Sequence, residues 1–167
     1  DSVTAATTGN LASTYNSGTL TATVNAALTV DGIAVSNGDR VLVKNQSATT
    51  DNGIYDVTDA GSAGSPFILD RSSDADTGGK LTGGAYAFVE QGTTNSDSGW
   101  VFTHDGVPTF GATALPVTQF SSAGSTTAGD GLSAAGNDFS VNTDNVTLAW
   151  RKRLTTYNVR SRCCILV

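Results

Sequence analysis

The chain is predicted to be all-β: an antiparallel sandwich or barrel over residues 1–120, a linker and small hairpin over 121–147, and an atypical basic tail over 148–167. Three observations predict it. Apolar residues recur at a spacing of two in Ile33/Val35, Val41/Val43 and Tyr55/Val57, the period of side chains on one face of a strand. Asp31-Gly32, Asn37-Gly38-Asp39 and Asp51-Asn52-Gly53 punctuate these runs with residues that accept turn geometry. No window of helical length in this region places apolar residues three and four apart without such breakers. Residues 31–57 therefore read as a β-meander of three short strands.

The other elements follow in order. Leu20, Ala22 and Val24 alternate with Thr21 and Thr23, so a strand is expected near 19–24, with the rest of residues 1–26 extended or irregular. Residues 59–66 are a loop by composition, and Phe67-Ile68-Leu69 reads as a short buried strand. Residues 70–79 are a polar loop in which Arg71 is expected to pair with a neighbouring carboxylate. In the strand Ala85 to Glu90, Tyr86 and Phe88 share one face and Ala87 and Val89 the other, with both faces open to being covered. A hairpin through Gly92 to Gly99 leads to Trp100-Val101-Phe102, and the pair Trp100 and Phe102 is expected to stack on Tyr86 and Phe88 across the sheet. The last body strand, Leu115 to Phe120, contains Pro116 and is expected at an edge or to begin there. Beyond the linker, Leu132, Phe139 and Val141 flank Ala135-Gly136-Asn137 as the apolar side of a hairpin, which needs further packing to be stable.

Composition bounds the function. Leu, Ile, Val and Phe number 36 of 167, enough for one lean core, and such a core favours association because a partner surface supplies missing burial. All 15 carboxylates lie at or before Asp144, while five of nine basic residues lie from Arg151 onward; residues 1–150 thus carry 4 minus 15, or −11. Such a body repels nucleic-acid phosphate and anionic headgroups, so neither nucleic acid nor membrane insertion is expected. No apolar run is long enough to span a bilayer. The absence of Met and the Asp at position 1 point to a processed chain or a fragment of a larger protein.

The runs DGIAVSNGDRVLVKNQ and NGIYDVT, followed by LDRSSDADT, AYAFVEQGTTNSDSGWVFT and TALPVTQF, resemble a module of tail-fibre and related adhesion proteins of tailed bacteriophages, over roughly residues 1–147. Their order and spacing carry the resemblance. It implies a virion appendage, a structural role without enzymatic activity or cofactor, self-association as a homotrimer, contacts with other virion proteins and attachment to a host-surface glycan. Alternatives are a capsid decoration protein, or a glycan-binding or carbohydrate-active module. The stretch Trp150 to Val167 departs from the pattern: it comes from a shifted frame or fusion, or it is a terminal strand packing on a neighbour.

Several residues have types and spacings that suggest chemistry, and each also has a plainer role. Asp70, Asp74 and Asp76 alternate as in a calcium loop, but Ala75 replaces the sharp-turn Gly and Leu81 the bidentate acid. Asp74, Asp76, Glu90, Asp97 and Asp105 offer carboxylate pairs of the kind glycosidases use, as an Asp-rich β protein does by chance. His104 is the single histidine; Asp105 beside it points to the opposite face, so a hydrogen-bonded histidine at a strand end is expected. Neighbouring Cys163 and Cys164 are free or link chains, and the closing Cys164-Ile165-Leu166-Val167 only outlines a prenylation signal. Asn45 and Asn145 fit a glycosylation pattern that has no meaning in a bacterial setting. Trp100, Tyr15 and Tyr157 are candidates for sugar stacking if exposed, with Trp100 read as core.

Overall fold

Period-two alternation produces strands throughout, and the computed structural model describes residues 2–122 together with the backbone of 132–135 and 138–141. The strands are β1 (Ala5–Ala6), β2 (Ser13–Asn16), β3 (Thr19–Ala22), β4 (Thr29–Val30), β5 (Ile33–Ala34), β6 (Arg40–Val43), β7 (Gly53–Asp59), β8 (Ile68–Arg71), β9 (Tyr86–Val89), β10 (Ser98–Phe102), β11 (Val117–Ser122), β12 (Leu132–Ala135) and β13 (Asp138–Val141). A 3-10 turn at Thr49–Asp51 is the sole helical element among the described residues. The chain divides into two units, Asp1–Ala123 and Gly124–Val167. In the second unit β12 pairs antiparallel with β13, Ala135 opposite Asp138, which is the expected hairpin.

In the first unit a six-stranded sheet runs in the order β1-β6-β7-β8-β3-β2, and a three-stranded sheet in the order β11-β10-β9. Every strand pair is antiparallel except β1 with β6. Neither sheet closes on itself, so the arrangement is an open sandwich and no barrel. Pro116 immediately precedes β11, and β11 lies at the edge, as its proline requires.

The meander is β6-β7-β8, one strand later than the spacing predicts. β5 does not join it but pairs with β4. The reason is the Asp31-Gly32 turn: both residues have positive φ, 49° and 82°, a two-residue turn that ties Val30 to Ile33.

Alternation in the sheet centre buries both faces. Val41, Val43, Tyr55, Val57, Leu69, Leu20 and Ala5 face one cluster, completed by Leu28, Val30, Val35 and Phe67. Leu42, Ile54 and Ala6, the residues between them, face a second cluster with Ala87, Val89, Phe102 and Leu115. The second cluster is the layer between the two sheets. Each buried Val, Leu, Ile or Phe among them contributes roughly 1.5–3 kcal/mol relative to exposure.

Residues 2–7, expected to be extended or irregular, join the two sheets. Val3 bridges Val89 in parallel, and two residues later β1 pairs in parallel with β6. Ser13–Asn16, also outside the expected strands, forms edge strand β2 against β3.

Candidate functional site

Two constellations of side chains stand out. The first is interior. Arg71 ends β8 and is buried, its guanidinium carbon 3.9 Å from the Phe110 ring centroid, 5.0 Å from that of Tyr55 and 5.3 Å from that of Tyr15. Its Nε donates to the Tyr15 hydroxyl (3.2 Å), and one terminal nitrogen donates to the carbonyls of Asn52 (3.1 Å) and Thr50 (3.4 Å). Among the described residues it forms no ion pair, which corrects the expected carboxylate partner. The other terminal nitrogen is buried without a hydrogen bond and lies where a Cβ on Gly53 would stand, 2.2 Å away. Aromatic faces and backbone carbonyls thus take the place of a counter-ion.

Around it the polar residues of the KNQ and NGIY runs are spent on backbone. Buried Gln46 accepts from the Leu11 amide (2.7 Å) and donates to the Ser13 hydroxyl (3.1 Å). Buried Asn52 accepts from the Gln46 amide (3.0 Å) and donates to the Leu115 carbonyl (3.0 Å). The Tyr55 hydroxyl donates to the Asp51 carbonyl at 2.6 Å, and burial pushes the phenol well above its ordinary value, partly offset by Arg71. The signal available in the sequence was Gly53, two residues before Tyr55, the register partner of Arg71; its missing side chain leaves the room a long cation needs.

The second constellation is on the surface. Ala87 and Val89 turn inward from β9, so Tyr86 and Phe88 turn out and are 65% and 42% exposed. Trp100 pairs with Ala87 and packs on the inner cluster beside Phe102, on the opposite side of the sheet from Tyr86 and Phe88. The expected four-aromatic stack does not form. What Tyr86 meets is Phe120, ring centroids 6.0 Å apart and nearly perpendicular, because Gln119 is the partner of inward-facing Trp100 and its neighbour Phe120 therefore lies on the outer face. Gly99 permits this: a Cβ there would stand 2.6 Å from the Phe120 ring. Gly84, Tyr86, Val101 and Phe120 line a shallow apolar groove of about 480 Å³ without a charged residue in its wall.

The remaining candidates disperse. Asp70 accepts from Thr19, Asp74 pairs with Arg40 at 2.7 Å, and Asp76 with Lys80 at 2.8 Å. The Arg40 hydrogen bond is the main reason the Asp74 carboxyl lies below the usual range. Ala75 and Leu81, the two departures from a calcium pattern, are buried core residues of the inter-sheet cluster. Among the described residues no three His, Cys, Asp or Glu side chains are grouped to hold a metal. Glu90 accepts from the Ser2 hydroxyl, Asp97 sits in a turn at φ 54°, and Asp105 is exposed. His104 is buried just past β10 with Nε2 3.1 Å from the Leu81 carbonyl, so no serine or acid engages it.

Trp100 is half-buried rather than core: its Nε1 donates to Ser98 (2.8 Å) and the Lys44 ammonium lies 4.0 Å over the ring. Desolvation holds that ammonium below its ordinary value, against the pull of Asp31. Tyr15 is engaged with Arg71, leaving neither ring free as a sugar platform. Asn45 is exposed, its Oδ1 accepting from Lys44 at 2.9 Å. Asn145, Tyr157, Cys163 and Cys164 lie outside the described residues.

No family model, curated protein or solved structure matches the chain.

Proposed function

We propose that the chain is a non-enzymatic structural and adhesive component of a bacteriophage virion appendage, self-associating as a homotrimer, meeting other virion proteins and contributing to attachment at the host surface. The observation that carries this reading is how the motif residues are used. Gln46, Asn52, Tyr55 and Arg71, four polar side chains of the resembling runs, are turned inward onto backbone groups and rings. Side chains committed to holding a loop-rich body rigid are those a module needs when it is selected for shape, and they are withdrawn from any reaction. The acidic residues cited above support it too, occupied in local contacts or turned to solvent.

A second reading, a glycan-binding module, is favoured by the exposed pair Tyr86 and Phe120, since aromatic faces stack on the apolar faces of sugars. It differs in its prediction. Sedimentation at micromolar concentration is expected to give a trimeric mass, and pull-down on bacterial envelope fragments to retain the protein. A monomeric mass with no retention on any envelope preparation overturns the appendage reading. A monomer retained by purified glycan, and released when Tyr86→Ser and Phe120→Ser are combined, selects the second.

A further inference from the structure

The segment 2–7 is bound to the body as a separate strand would be. Its backbone partners are all distant in sequence. The Val3 amide donates to Phe88 (2.8 Å) and its carbonyl accepts from Glu90 (3.0 Å); the Thr4 carbonyl accepts from Gln91 (2.9 Å) while its amide donates to Arg40 (2.7 Å); the Thr7 amide donates to Leu42 (2.9 Å). Side chains lock the far end, where Asn95 Nδ2 donates to the Ala6 carbonyl (3.2 Å) and the Lys44 amide to Thr7 Oγ1 (2.9 Å). The strand lies parallel to both neighbours, so no hairpin turn templates it.

Burial is complete where it counts. Val3, Ala5 and Ala6 are at most 1% exposed, Val3 and Ala6 entering the inter-sheet cluster and Ala5 the other. Withdrawing the segment would bare the edges of both β6 and β9, with unpaired backbone along each, and bare edges recruit strands. The segment is also chemically undemanding: Ser2 to Thr7 contains no charge and no side chain larger than valine. Its covalent link is an exposed bend at Thr8 and Gly9, after which the chain is fastened again through Asn10 and Leu11 to Ser47 and Gln46.

We infer that the slot between β6 and β9 is an interaction surface for residues 2–7 of a second copy, and that copies held together exchange this strand. Every bond just described is the same whichever copy supplies the strand, so exchange costs only the advantage of the tether. A short flexible link gives an effective concentration on the order of millimolar. Free protein at micromolar concentration therefore keeps its own strand, while copies packed in one assembly compete on equal terms. The inference rests on the self-association proposed above.

The test uses full chains with Cys163→Ser and Cys164→Ser. Ala5 and Val41 are register partners and both fully buried, so cysteines there meet only when the strand is seated. One protein carries Ala5→Cys and the other Val41→Cys. After mixing, warming and oxidation, a covalent heterodimer is expected on a non-reducing gel, in the trimeric fraction whatever the protein concentration and from unassembled chains only as the concentration approaches about 1 mM. A chain carrying both cysteines reports that the pair closes when the strand is seated; if those positions disturb folding, Val3→Cys with Val89→Cys repeats the design across the other edge. Closure within the double variant with no heterodimer from the mixture overturns the inference. A trimer by sedimentation without heterodimer removes exchange and leaves assembly standing; a monomer that yields heterodimer at high concentration supports exchange and counts against the trimer.

Discussion

Strands β6 and β9 are each four residues long, Arg-Val-Leu-Val and Tyr-Ala-Phe-Val, yet they are used in opposite ways. In β6 Val41, Leu42 and Val43 are all buried, because the β4-β5 hairpin side covers one face and the three-stranded sheet the other. In β9 the small residues go in and the aromatic ones go out. Close approach of the two sheets requires small side chains at the contact, and Ala87 supplies that. Residue size is therefore a poor guide to burial in a lean protein; the gap between layers decides which face turns inward.

Substitutions can break or sharpen this contrast. The largest effect is expected at Leu42: replacement by Ala in the fully enclosed strand should cost about 2–5 kcal/mol by chemical denaturation, and a cost below that of Phe88→Ala would overturn the assignment of inner and outer sheets. Gly53→Ala should cost about 1–3 kcal/mol, since the new methyl displaces the Arg71 guanidinium in a packed interior; a neutral result would show that the ring cage is loose. A smaller effect is expected from acid. The Asp74 carboxyl is depressed in the folded protein, so its contribution is present above the unfolded carboxylate range and is lost as pH falls through the lower folded value. This half-exposed pair with Arg40 is worth less than about 1 kcal/mol, and Asp74→Asn should remove that part of the acid dependence of melting. Least of all, Tyr86→Ser with Phe120→Ser should change monomer stability by no more than about 0.5 kcal/mol per site; a larger loss would mean the outer face belongs to the core.

Much of the body was legible in the sequence. Alternation placed β3, β6, β7, β9 and β10, and Pro116 marked an edge. Alternation leaves the second face of β6 unannounced, however, because Val41 and Val43 mark one face while Leu42 between them looks incidental until a second layer exists to cover it. Residues 2–7 carried no signal, since small and hydroxyl side chains show little periodicity and a parallel partner more than thirty residues away leaves no turn to recognise. Arg71 departs from expectation for a similar reason: in a run of aspartates and serines its obvious partner is a carboxylate, and the rings that hold it, Tyr15, Tyr55 and Phe110, come from three separate stretches of chain.

The strand at residues 2–7 also sets an order of events during synthesis. It leaves the ribosome early, yet one flank is missing until Val43 has been made and the other until Gln91 follows. At roughly 5–20 residues per second that interval is about 4–17 s, a long wait for a naked extended segment. A bulkier or more apolar stretch would aggregate in that time, so its bland composition, Ser-Val-Thr-Ala-Ala-Thr, is what keeps it available until both seams are ready to be sewn.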